Sequence, residues 1–157
     1  MKNFYCASDC GAWGKTTEKA LKEFLGLKVK VAKQGCTDVT KAHIHYEVKT
    51  GAGELGNLGE KLIKGSSMVI YVPVVDITAD IEHQQGYVMP KEVFLDVLDA
   101  CGLIREKTST EGIRKVTIQT FWIASKNKPH GKKYFRLVEL LEENCDMTLA
   151  EWLDQYR

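Results

Sequence analysis

Residues 44–50, Ile-His-Tyr-Glu-Val-Lys-Thr, alternate apolar and polar side chains. A strand turns successive side chains to opposite faces, so this period of two specifies a half-buried strand. Ile44, Tyr46 and Val48 share one face, and His43, His45, Glu47 and Lys49 share the other. Two more segments rich in β-branched residues come before it, Leu27 to Ala32 and Thr37 to Thr40. Three strands are therefore predicted, with the last two in a hairpin. That hairpin would lay Asp38 beside Glu47 and Lys49.

Two carboxylates and an amine at one spot form a hard-metal site with a cation at its edge. Magnesium prefers oxygen donors in an octahedron and takes one or two carboxylates, leaving positions for water and phosphate. A lysine there can orient the water, accept its proton or neutralise the phosphate. Such a set suits phosphodiester hydrolysis. The same charges would also fit an ordinary solvated strand face.

Upstream, Thr16 to Leu25 reads as an amphipathic helix with Ala20, Leu21, Phe24 and Leu25 on one side. Glu18 lines up with Leu21 and Leu25. An acid on a buried edge needs a partner, which could be a metal, a metal-bound water or Lys49. A first-turn acid that complements the helix dipole is the alternative.

The order of helix with Glu18, strand, strand with Asp38, strand with Glu47-Val48-Lys49, then a Gly-rich turn resembles the PD-(D/E)XK nuclease superfamily. The resemblance covers roughly residues 14–75, through a further strand at Met68 to Val75. It implies a restriction-endonuclease-like α/β core, with a central mixed sheet flanked by helices. Residue by residue, it makes Asp38 and Glu47 metal ligands, the Val48 carbonyl a further ligand, Lys49 the catalytic lysine and Glu18 an auxiliary acid. Mg²⁺ is the implied metal, with Mn²⁺ as a substitute. Thr37 stands where the family name has Pro, and no Gln-x-x-x-Tyr motif follows Lys49.

Net charge is +1, which conceals a segregation. Residues 105–136 carry nine Lys and Arg against two acids, whereas residues 137–157 carry one Arg against six acids. The densest basic part runs from Lys126 to Arg136 and includes Lys128, Lys132 and Lys133. It reads as a Pro/Gly-broken loop entering a helix. Backbone phosphates are held by such cations and by amides at helix starts, so this block is the predicted DNA contact. A solvated loop is the plainer reading. His43 and His45 could join a softer metal, and Glu54 a third carboxylate; a polar cleft face and a solvated loop acid explain them as well.

The chain has 157 residues and 44% hydrophobic content, fitting one compact domain with a core at about 14–75 and a C-terminal helical extension at about 90–157. It has no apolar run of bilayer length and no signal-like start, so a cytoplasmic protein without a membrane partner is expected. Five cysteines at irregular spacing indicate free thiols. Cys6 and Cys10 could form half of a zinc site, but Cys36, Cys101 and Cys145 supply no second pair.

Helices are further predicted at Leu55 to Ile63, Lys91 to Cys101 and Lys132 to Asn144. Thr148-Leu149-Ala150-Glu151 reads as a capping box opening a last helix. Gly112 to Ile123 reads as a strand, and Asp76 to Gly86 as a polar connection. Pro73 warns of a bulge or an edge within the run Met68 to Val75. The expectation is a metal-dependent DNA endonuclease of the stand-alone kind found among restriction enzymes, junction resolvases and phage or plasmid nucleases. A homodimer would follow if two strands are bound at once. The alternatives are a binding protein that keeps the fold without the chemistry, and a nuclease directed at RNA or junctions.

Overall fold

The computed structural model describes residues 4–5, 10–28, 39–55, 68–108, 110–112 and 114–157. In chain order the elements are β1 (Phe4–Tyr5), α1 (Cys10–Phe24), β2 (Val39–Lys41), β3 (Ile44–Thr50), β4 (Gly53–Glu54), β5 (Met68–Val72), β6 (Val75–Asp76), β7 (Tyr87–Pro90), α2 (Lys91–Ala100), β8 (Ile104–Thr108), β9 (Arg114–Ile118), β10 (Trp122–Ile123), β11 (Lys128–Pro129), α3 (Lys133–Asn144), β12 (Met147–Thr148) and α4 (Leu149–Asp154). Asp38, residues 29–32 of the first expected strand and residues 56–63 of an expected helix lie outside the described residues.

A five-stranded mixed sheet in the order β12-β7-β5-β3-β2 organises the fold. β2 and β3 form an antiparallel hairpin with Val39 opposite Tyr46 and Lys41 opposite Ile44. Its linking residues, Ala42 and His43, have φ of 52° and 65°. A two-residue loop with both φ positive is the type I′ turn, whose twist matches the flanking strands. His43 therefore belongs to the turn and not to the strand face. β5 runs parallel to β3, from Tyr46 beside Met68 to Thr50 beside Val72, and antiparallel to β7. An α/β architecture with a mixed sheet and flanking helices is thus observed.

The sheet separates two apolar clusters. On one face, Tyr46, Ile70, Val72 and Val88 pack with Leu21 and Leu25 of α1 and with Leu149, Trp152 and Leu153. On the other, Val69, Tyr71 and Met89 pack with Phe94 and Leu98 of α2, Leu137 and Leu141 of α3, and Phe121. Burying these side chains yields about 1.5–3 kcal/mol each relative to exposure, which is what fixes the helices to the sheet.

Several boundaries differ from expectation for identifiable reasons. α1 begins at Cys10, well before Thr16. Gly11 and Gly14 lower helix propensity there, which hid this first turn and a half from the periodicity, and a Cβ at Gly14 would make only an ordinary 3.5 Å contact with Thr50 Oγ1. The apolar run at 68–75 breaks into β5 and β6 around Pro73, which has no N–H for a ladder. The strand expected over 112–123 is two short ones, β9 and β10.

The helical extension expected over 90–157 is partly strand. β12 joins the central sheet beside β7, and β9 pairs with both β4 and β8 in a three-stranded sheet. α2 ends as expected, with Gly102 at φ 65° and the Leu103 amide donating to the Leu98 carbonyl at 3.0 Å. α4 opens on the expected capping box of Thr148 and Glu151. Gly86 is required by packing, because a Cβ there would meet Leu149 Cδ2 at 2.7 Å.

Candidate functional site

β3 sorts its side chains by parity. Tyr46 and Thr50 are buried at 3% and 4% exposure, and Val48 packs against the same cluster. Trp152 Nε1 donates to Tyr46 Oη at 3.2 Å, and burial pushes the Tyr46 phenol pKa up. Glu47 and Lys49 face the other way and are half-buried. In the parallel register they lie beside Val69 and Tyr71 of β5, at the margin of the second cluster.

The amine of Lys49 donates to the main-chain carbonyl of Glu54. That carbonyl belongs to a turn held from two further directions. Tyr71 Oη donates to the Gly51 carbonyl at 2.7 Å, and β4 pairs with β9, Glu54 opposite Thr117. Gly51 and Gly53 carry φ of 66° and 120°, conformations that side chains resist. The Gly-rich turn after Glu47-Val48-Lys49 is thus a fixed support for the lysine. The Glu54 side chain itself is exposed.

The described hairpin register ends at Val39 opposite Tyr46, and Asp38 is the next residue outward, outside the described residues. Glu18 forms an ion pair with Lys22 at 2.7 Å, with 14% and 10% of the two side chains exposed. Its helix covers the Tyr46 face of the sheet, opposite the face to which Glu47 and Lys49 project. His45 Nδ1 lies 3.1 Å from Thr40 Oγ1 on the exposed hairpin.

Among the described residues, no three His, Cys, Asp or Glu side chains are grouped as a metal cage. The donors that the resemblance implies are Asp38, Glu47 and the Val48 carbonyl, all oxygens. That chemistry fits a hard divalent cation. Glu47 and Val48 are adjacent on β3, and Lys49 follows on the Glu47 face, so the part of the set within the described residues is compatible with it. Cys101 and Cys145 are free thiols whose pKa burial pushes up, which suits packing rather than chemistry. The Cys6 and Cys36 positions and the Cys10 side chain lie outside what is described.

The basic block occupies β11, the turns on either side of it and the start of α3, and Lys126, Lys128, Lys132, Lys133 and Arg136 are all exposed. Two of them have intramolecular partners. Lys133 Nζ donates to the Gly102 carbonyl at 3.0 Å and to Gln119 Oε1 at 3.2 Å, and Arg136 pairs with Glu139.

Sequence reading missed Arg105, Thr117, Gln119 and Thr120, which line a polar cavity at the edge of the β8–β9 pair. The alternation of Ile104, Glu106 and Thr108 with Arg105 and Lys107 offered little signal, because nearly every residue there is polar. No described helix is long and apolar enough to cross a membrane. Comparison with known protein families, curated proteins and solved structures finds no match to this chain.

Proposed function

We propose that this chain is a metal-dependent nuclease, an endonuclease that hydrolyses DNA phosphodiester bonds on a restriction-endonuclease-like core. One observation carries the reading. A central strand, antiparallel to β2 and parallel to β5, presents Glu47 and Lys49 on one half-buried face. Asp38, the second carboxylate of the implied set, directly precedes Val39 in the chain.

Asp38, Glu47 and the Val48 carbonyl would hold Mg²⁺ against the scissile phosphate. Bound there, the cation supplies a water of lowered pKa and offsets phosphate charge. Lys49 would orient the attacking water or hold a phosphate oxygen. Its bond to the Glu54 carbonyl would anchor the amine beside the substrate. Tyr71, by holding the Gly51 carbonyl, would keep that support rigid. Glu18 stays in its ion pair with Lys22 in this reading. Lys126, Lys128, Lys132, Lys133 and Arg136 would contact backbone phosphates farther along the DNA.

The test is cleavage of supercoiled, linear duplex, single-stranded and branched DNA with Mg²⁺, with RNA in parallel. The wild type should nick or linearise circular DNA, and chelation should stop it. Asp38→Ala and Glu47→Ala should each lose the activity while melting like the wild type. A wild type that cuts none of these substrates, or either variant with full activity, rejects the proposal. Cleavage of RNA or of branched DNA alone would move the substrate and keep the site.

A further inference from the structure

Thr117 of β9 stands between Glu54 of β4 and Arg105 of β8. Directly paired residues in antiparallel strands project to the same face, so Glu54, Thr117 and Arg105 form a row across the three-stranded sheet. At the Arg105 end of this row lies an open cavity of about 360 Å³, lined by Arg105, Thr117, Ile118, Gln119 and Thr120. Lys133 reaches its rim from α3 and bonds Gln119 Oε1 at 3.2 Å. The lining contains no carboxylate, and the Arg105 guanidinium forms no ion pair among the described residues. The Thr117 hydroxyl donates to the Arg105 carbonyl at 3.4 Å, which leaves a guanidinium fork with the Thr120 hydroxyl and the Gln119 amide beside it, chemistry that takes a phosphate.

The row also connects the cavity to the candidate site. Lys49 holds the Glu54 carbonyl, and Arg105 is two strands from Glu54. At about 4.8 Å per strand that separation is about 10 Å. We infer that the cavity binds a backbone phosphate of a nucleic acid strand, flanking the phosphate addressed by Glu47 and Lys49. The choice of polymer rests on the nuclease reading; the anion site itself does not.

Binding without divalent metal separates the two. Each phosphate contact adds about 0.9 to the slope of log affinity against log salt on duplex DNA. Arg105→Gln should therefore flatten that slope by about 0.9 and weaken binding several-fold at low salt. Arg105→Lys, which retains the charge, should retain the slope. Lys19→Gln, exposed on α1, is the charge-matched control and should change neither quantity.

Thermal melts in inorganic phosphate form the second arm. A phosphate-dependent rise in melting temperature for the wild type, lost in Arg105→Gln, with no change in DNA slope, would make this a free-phosphate site and overturn the strand assignment. No DNA binding by the wild type, or unchanged slope and affinity with no phosphate effect, would overturn the inference outright. A wild type that cuts DNA while Arg105→Gln binds normally sinks this inference alone. An Arg105-dependent slope in a protein that cuts nothing sinks only the catalytic reading.

Discussion

On one face of β3, Tyr46 and Thr50 are sealed under α1 and α4, and Tyr46 meets the Trp152 ring edge-on at 4.9 Å between centroids. On the other face, one residue along, Glu47 and Lys49 stay half-exposed, and Lys49 is tied to a main-chain carbonyl. The backbone is common to both, and the difference lies in what covers each face. The first face has helices with apolar stripes to bury. The second borders a turn and a small sheet that supply fixed polar groups. A strand arranged this way can be rigid from one side while remaining reactive on the other, so stability and activity should respond to different substitutions.

The largest expected effect is on the open face. Lys49→Ala should lower Mg²⁺-dependent cleavage by about 10²–10⁴-fold, the range for a positioned acid–base or orienting group. Loss of its bond to the Glu54 carbonyl should cost about 0.5–1.5 kcal/mol of stability. Single-turnover cleavage beside a denaturant melt measures both, and a large stability loss with normal turnover would reverse the division between faces. On the sealed face, Trp152→Ala should cost about 3–5 kcal/mol in the same melt. Cleavage per folded molecule should remain near normal; a specific loss of turnover would mean that the sealed face takes part in chemistry.

Glu18→Gln probes the helix that seals this face. Breaking its mostly buried pair with Lys22 should cost about 1–3 kcal/mol and leave cleavage within tenfold of wild type. A steeper drop in rate at unchanged stability would bring Glu18 to the metal as an auxiliary acid.

The smallest effect concerns the turn that sets parity along β3. Ala42 and His43 occupy left-handed conformations that cost non-glycine residues roughly 1–2 kcal/mol. Ala42→Asn combined with His43→Gly, the residues this turn favours, should raise stability by roughly 1 kcal/mol without altering cleavage. A loss of stability would show that His43 has a packing role beyond the turn.

Alternation over 44–50 was enough to sort Tyr46 and Val48 from Glu47 and Lys49, because a strand reverses its side chains at every residue whatever it packs against. The capping box at Thr148 and the stop at Gly102 were equally legible, since each is satisfied by neighbours along the chain. β7 and β8 were not. Tyr87-Val88-Met89-Pro90 is nearly all buried and shows no period, and Ile104-Arg105-Glu106-Lys107-Thr108 reads as a charged turn until β9 pairs with it. The early start of α1 was likewise hidden, because Gly11 and Gly14 lower helix propensity over its first turns. Local sequence thus determined which side chains share a face. Only the tertiary structure decided which face α1 covers, what Lys49 is tied to and that Arg105 stands in line with Glu54, because those pairings join residues far apart in the chain through backbone hydrogen bonds and burial.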